Sequence, residues 1–200
     1  MMLVLTLLCR DEADILESML RFHLAQGVDR IIATDNGSVD GSLEILQRFE
    51  RRGQLTLLQE AEQTHDQAVW VTRMARMAAA MGADWVINSD ADEFWWPQQG
   101  SLHSTLAQLP KSVEGVLVDR TNFLPPPRDA EDQRPFYQRQ TLRERVSHNS
   151  LGKPLPPKLI HRGDPGIAVT DGNHNAMRDG QAIASIRNAG IEILHVPIRS

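Results

Sequence analysis

The chain has 200 residues, a formal net charge of −5 and a hydrophobic fraction of 41%. That length suits one domain, or one with a small extension, and the apolar share is enough for a globular core. The acidic balance excludes a general nucleic-acid binder, which carries a basic excess. Cys9 is the single cysteine, so no intrachain disulfide forms, and a reducing, cytoplasmic setting is expected. Met1 to Leu8 is apolar but too short for a membrane span, and it lacks the basic start and cleavage site of a signal peptide.

Leu3 to Leu8 is an unbroken apolar run, the pattern of a strand buried on both faces. Arg10-Asp11-Glu12 ends it. Ile15, Leu16, Met19, Leu20 and His23/Leu24 then recur at helical spacing, and Gly27 stops that helix. Arg30 to Thr34 reads as a second strand, the polar run Asp35 to Ser42 as a turn, and Leu43 to Arg51 as a helix. Leu55 to Leu58 is a third strand. Asp66 to Met81 is a helix with Trp70, Met74, Met77 and Met81 on one stripe, and Trp85 to Asn88 is a fourth strand.

This β-α-β-α-β-α-β rhythm predicts an α/β fold, a mostly parallel doubly wound sheet with helices on both faces. Ligands bind such sheets at the carboxyl ends of the strands. Polar clusters fall there four times: Arg10 to Glu12, Asp35 to Asp40, Thr64 to Asp66 and Asp90 to Glu93. The later chain is less regular. Leu102 to Leu109 looks helical, while Gly115 to Val118, Lys158 to His161 and Glu192 to Val196 look like strands. Loops from Leu124 to Pro135 and from Pro154 to Pro157 separate them. Residues 120–164 carry nine Lys/Arg against five Asp/Glu, an excess that suits an anionic ligand or a solvated loop.

Asp90-Ala91-Asp92-Glu93 is the strongest chemical signal, with three carboxylates in four residues where a buried strand emerges. Carboxylates so close repel one another and resist burial without a cation. Asp oxygens suit Mg²⁺ and Mn²⁺, ions that hold phosphates in place.

Several motifs then come in a familiar order. They are Arg10-Asp11-Glu12-Ala13-Asp14-Ile15-Leu16-Glu17, Phe22-His23, Gly27-Val28-Asp29, Asp35-Asn36-Gly37-Ser38-Val39-Asp40-Gly41, Asp84-Trp85-Val86-Ile87 and Asp90-Ala91-Asp92-Glu93-Phe94. Over residues 3–96 the chain resembles a family 2-type glycosyltransferase with a GT-A fold. The resemblance implies one GT-A-like domain over residues 1–200, with a nucleotide- and metal-binding half (1–96) and an acceptor-side half (97–200). It also implies further helices beyond Ser200. The partners would be a nucleotide-diphosphate sugar donor and a glycan or other hydroxyl acceptor, the cofactor Mn²⁺ or Mg²⁺, and the transfer inverting. By that match Asp90 and Asp92 form the D-x-D motif at the metal, with Asp90 also reaching the nucleotide, and His195 is a further metal ligand. Thr6, Arg10, Glu12, Asp35, His65 and Arg73 would contact the nucleotide.

Each residue also has a structural reading: an Asx turn or helix cap for Asp35, helix surface for His65 and Arg73, and a satisfied strand histidine for His195. His161 and His174 are further candidates to line the sugar or metal site. Trp95-Trp96 has the aromatic faces that suit sugar rings, but such pairs also fill cores. An inverting enzyme needs a carboxylate to deprotonate the acceptor. The candidates are Asp119, Asp129, Glu131, Asp132, Asp164, Asp171 and Asp179, and Asp171 is preferred because it shares a loop with His174. Two rivals remain: a sugar-nucleotide nucleotidyltransferase, which would carry a Gly-rich loop that Thr6 to Glu12 lacks, and a non-catalytic nucleotide- or glycan-binding domain.

Overall fold

A computed structural model describes residues 1–60, 66–125, 134, 136–187 and 189–199. Within them the first half runs β1 (Leu3–Cys9), α1 (Ala13–Ala25), β2 (Arg30–Asp35), α2 (Ser42–Arg51), β3 (Leu55–Gln59), α3 (Gln67–Ala80) and β4 (Trp85–Ser89), as the sequence predicts. The second half adds β5 (Glu93–Pro97), α4 (Leu102–Ala107), β6 (Gly115–Val118), β7 (Arg120–Leu124), α5 (Phe136–Arg139), β8 (Leu142–Arg143) and β9 (Lys158–Arg162). It closes with β10 (Ile167–Val169), a 3-10 turn at Asp171–Asn173, β11 (Ala176–Arg178), β12 (Gln181–Ala182), β13 (Ser185–Arg187) and β14 (Ile191–His195).

The main sheet has seven strands in the order β13-β6-β9-β4-β1-β2-β3. The pairs β1·β2, β2·β3, β1·β4 and β6·β13 are parallel, and only β9 runs against its neighbours β4 and β6. A second sheet, β5-β14-β7-β8, carries the chain away from the acidic turn, and β10-β11-β12 form a small third sheet.

Alternation along β1 divides the core. Leu3, Leu5 and Leu7 pack with Ile15, Leu16, Met19 and Leu20 of α1 and Ile45, Leu46 and Phe49 of α2. Val4 packs on the opposite face with Val71, Met74, Ala75 and Ala78 of α3. Full burial of one such Leu contributes about 1.5–3 kcal/mol, so both helical layers are held by the strand that leads into the site. Gly27, at φ 87°, ends α1 where a Cβ would lie 2.7 Å from that of His103. That close approach adds to the backbone reason for glycine there.

His23 is fully buried under β5. Its Nε2 accepts from the Trp95 backbone N–H at 3.2 Å while Nδ1 donates to the Met19 carbonyl at 2.9 Å. Burial holds its pKa down to about 4. No helix among the described residues is long and apolar enough to cross a membrane.

Candidate active site

The carboxyl ends of β1, β2 and β4 lie side by side, because register pairs Cys9 with Asp35 and Leu7 with Ser89. The polar turns after β1 and β2 bind each other. Asp40 accepts from the Ala13 N–H and the Ser42 N–H, Asp11 from the Val39 N–H, and the Ser42 hydroxyl from the Glu12 N–H. Gly41, at φ 102°, lets the second turn enter α2. The result is a rigid rim beside the acidic turn. Leu8, Cys9, Arg10, Glu12, Asn36, Gln67, Asp90, Ala91 and Asp92 enclose a cleft of about 390 Å³ there.

Two of the three carboxylates of the acidic turn, Asp90 and Glu93, share Lys158, and the third has other partners. Asp90 Oδ2 lies 2.5 Å from Lys158 Nζ and Oδ1 lies 3.4 Å from Asn173 Nδ2. Glu93 is fully buried, with its Oε1 3.2 Å from Lys158 and 3.4 Å from Arg120. Lys158 itself is 1% exposed. Two buried cations thus answer two carboxylates, the condition under which such charges are tolerated in an interior. Burial and the Asp90 charge push the Glu93 carboxyl up, against the pull of Lys158 and Arg120. The crowding that the sequence suggests must be relieved by a metal is therefore relieved, for Asp90 and Glu93, by the chain's own cations.

Asp92 differs. Its Oδ2 lies 3.3 Å from His195 Nε2. Burial pushes its carboxyl up, but the hydrogen bond and charge of His195 and the charge of Arg199 outweigh that and hold it below the usual range. Arg199 Nη1 pairs with Glu12 Oε2 at 2.7 Å and its Nε with Asp14 Oδ2 at 2.8 Å. Burial raises the Glu12 carboxyl, opposed by Arg199.

Neighbouring donors around one ion, with bonds of about 2.1 Å, stand about 3 Å apart. Asp92 and His195 fit that spacing and offer the oxygen and imidazole nitrogen that Mn²⁺ accepts. No group of three or more His, Cys, Asp or Glu forms a metal cluster among the described residues. A divalent ion held here would take its remaining ligands from a diphosphate and water, the habit of Mg²⁺-type sites.

The other expected residues scatter around this centre. Asp35 is 3% exposed; its Oδ2 accepts from the Ser38 N–H at 3.2 Å, and its Oδ1 has no hydrogen-bond partner among the described residues. Thr6 lies inside the sheet and donates to Asn88 Oδ1 at 2.7 Å. Arg73 pairs with Glu60 at 2.6 Å and lines a groove between α3 and β10, outside the acidic cleft. Asp171 Oδ1 accepts from the Ala68 N–H at 3.2 Å, at the start of α3. Its turn brings Asn173 to Asp90 and sets His174 Nδ1 2.9 Å from the Pro157 carbonyl. His161 is fully buried within the sheet, and burial lowers its pKa to about 4. Trp95 is buried and donates to Ser89 Oγ, whereas Trp96 is 45% exposed and stacks on Phe22. His65 and the base candidates Asp129, Glu131 and Asp132 lie outside the described residues.

Lys158, Arg120, Asn122 and Asn173 are not among the expected site residues, and Glu93 enters the sequence reading only as part of the acidic cluster. The basic excess over residues 120–164 is the only trace of Lys158 and Arg120, and both meet internal carboxylates.

The model of glycosyltransferase family 92 matches residues 9–166. The chain belongs to glycosyltransferase family 92. The expected glycosyltransferase class is thereby met, whereas the family 2-type subclass is not what this match names. A search of the curated proteins finds no match. Among solved structures, S. aureus TarS 1–349 in complex with UDP-GlcNAc superposes with a TM-score of 0.58 at 12% identity, covering 100% of this chain and 60% of that one. TarS 1–349 without that ligand gives 0.57 at 13%, covering 98% and 60%. A mycobacterial protein gives 0.51 at 13%, covering 97% and 67%. This family 92 chain thus spans about 60% of the TarS chain. These likenesses agree with the sheet order in giving the chain a GT-A-like α/β fold.

Proposed function

We propose that this protein transfers a sugar from a nucleotide-diphosphate donor to a hydroxyl acceptor, with a divalent metal and with inversion. The observation that carries the reading is the Asp92–His195 pair at the carboxyl end of the sheet, facing the same turn as Asp90 and the Arg10–Glu12 rim. The motifs that resemble family 2-type enzymes serve, in this proposal, the same donor-side roles within family 92. A UDP-sugar is the first donor to test, because TarS, of the same fold, is described with UDP and with UDP-GlcNAc.

Mn²⁺ or Mg²⁺, when bound, supplies a Lewis acid for the charge that grows on the departing diphosphate. Asp92 and His195 would hold it. Asp90, held by Lys158 and Asn173 at the edge of the cleft, would reach the ribose. The buried, unpartnered Oδ1 of Asp35 supports a contact with the nucleoside. Arg10 and Arg199 stand where a diphosphate would need cationic neighbours. Asp171 is proposed as the acceptor base, in a turn whose Asn173 reaches Asp90. The residues beyond Trp96 are proposed to complete the acceptor side of one domain.

The test is product formation from a panel of sugar nucleotides, together with thermal shifts under UDP, GDP, CDP and dTDP with and without Mn²⁺. A ligand that binds the folded chain raises its stability by RT ln(1 + [L]/Kd). A metal-dependent shift with one diphosphate and turnover of its sugar support the proposal. A shift without turnover points instead to a binding domain, and no shift with any nucleotide removes the donor site altogether.

A further inference from the structure

His195 has a second neighbour that decides where its hydrogen sits. Register places Asn122 of β7 beside His195 of β14. His195 Nδ1 lies 2.6 Å from Asn122 Oδ1. Asn122 is 4% exposed, and its amide orientation is set by its other contacts. Nδ2 donates to Glu144 Oε2 at 2.8 Å and to the His148 carbonyl at 3.0 Å. Both partners are acceptors only, so the nitrogen must face them and the oxygen must face the imidazole. The Asn122 main chain is pinned as well, its N–H donating to Ser147 Oγ at 2.8 Å and its carbonyl accepting from the Glu144 N–H at 3.0 Å.

An amide oxygen cannot donate, so Nδ1 of His195 must carry the hydrogen. When the ring is neutral, the lone pair of Nε2 is then directed at Asp92 Oδ2, 3.3 Å away, whereas the imidazolium would donate a hydrogen bond there. Two acceptors facing each other at that distance need a cation or a proton shared between them. The hydrogen bond at one ring nitrogen selects the tautomer that frees the other for a metal.

We propose that Asn122, backed by Glu144, is a positioning residue that fixes His195 in the Nδ1–H tautomer and so prepares Nε2 and Asp92 to bind one divalent cation. The proposal rests on the metal reading above.

Mn²⁺ is titrated into the metal-free full chain, without nucleotide, by calorimetry and by loss of the free Mn²⁺ electron-spin signal. Asn122→Leu is expected to weaken Mn²⁺ binding roughly 10–100-fold, the usual cost of losing a group that orients a metal-bound histidine. The double variant Asn122→Asp with Glu144→Gln keeps an acceptor toward Nδ1 and supplies a donor behind it. It is expected to return affinity to within about threefold of wild type, a rescue that a merely structural role does not produce. If wild type binds no Mn²⁺, the metal reading falls and takes the proposal with it. If wild type binds and a folded Asn122→Leu binds equally well, the proposal alone is overturned. Should Asn122→Leu fail to fold, the ¹⁵N shifts of His195 in the wild-type chain decide. Recorded where the ring is neutral, a hydrogen on Nδ1 supports the proposal and a bare Nδ1 with the hydrogen on Nε2 overturns it.

Discussion

Asp90 and Asp92 stand two residues apart on one turn and meet opposite surroundings. Asp90, with Glu93, leans inward on Lys158 and Arg120, cations that the fold has already dehydrated. Asp92, no more exposed than Asp90, meets instead an imidazole whose far side is locked by an amide. The inward pair is an internal salt network, complete without any ligand. In the proposed function the Asp92–His195 pair is half of a coordination site. A D-x-D motif read as one unit would then have two physical jobs, holding the turn and offering a place for a cation.

That division is open to direct attack. Lys158→Met strands Asp90 and the buried Glu93 together, and loss of one partner of a buried pair costs about 3–5 kcal/mol. Urea unfolding of the metal-free variant is expected to show a loss of that size. An unchanged midpoint would mean that the inward side is not self-compensated. Asp92→Asn is expected to lower kcat by about 10²–10³, equivalent to about 2.7–4 kcal/mol of transition-state stabilisation, while metal-free stability changes little. Equal stability losses in the two variants would erase the distinction between the sides.

Asp171→Ala probes a residue with two possible jobs. As a tertiary cap of α3, accepting from the Ala68 N–H just beyond the Asp66 N-cap, it contributes about 0.5–1.5 kcal/mol to stability, which chemical denaturation reads. As the acceptor base it is expected, in addition, to cost at least about 10²-fold in kcat with nucleotide affinity kept. A stability loss with unchanged turnover at saturation would leave only the cap.

The smallest effect is on pH dependence. His23 and His161 have folded pKa values near 4, below the ordinary 6.5. Between those values the unfolded chain binds protons that the folded chain refuses, so their contribution is complete above pH 6.5 and is lost as pH falls toward 4. Each contributes a slope of at most about 1.4 kcal/mol per pH unit. The raised carboxyl of Glu93 takes up its proton more readily in the folded chain and so opposes that loss. Unfolding measured between pH 7.5 and 5 is expected to show stability falling with pH, more steeply in Glu93→Gln. A curve that does not steepen would place the Glu93 carboxyl at its ordinary value and weaken the inward network.

Much of the first half was legible because its signals are local. Leu3 to Leu8 reads as a buried strand from its own composition, the α1 stripe from its spacing, and the acidic turn from adjacency. Lys158 reaches Asp90 across 68 positions and Asn122 reaches His195 across 73, and no window of the sequence brings such pairs together. The paired strands β10 to β13 have two or three residues each, too few to show a period. Glu93 to Pro97 reads as the flank of a motif, yet it is a strand, and its alternation sends Glu93 and Trp95 to one face and Phe94 and Trp96 to the other. The crowded carboxylates of the acidic turn do meet a cation, but sequence alone does not tell an internal ammonium from a bound metal.

The late arrival of β9 has a consequence for how the chain is made. Lys158 to Arg162 fits between β4 and β6, strands synthesised far earlier, and runs against both. Until it emerges, β4 has a bare edge and Glu93 has no ammonium. A ribosome that has released the first 150 residues has delivered Asp90, Asp92 and Glu93 but neither the Lys158 ammonium nor His195. The acidic turn is thus charge-balanced only once Lys158 has emerged, so a chain stopped before it carries the carboxylates without the charge balance that holds them in place.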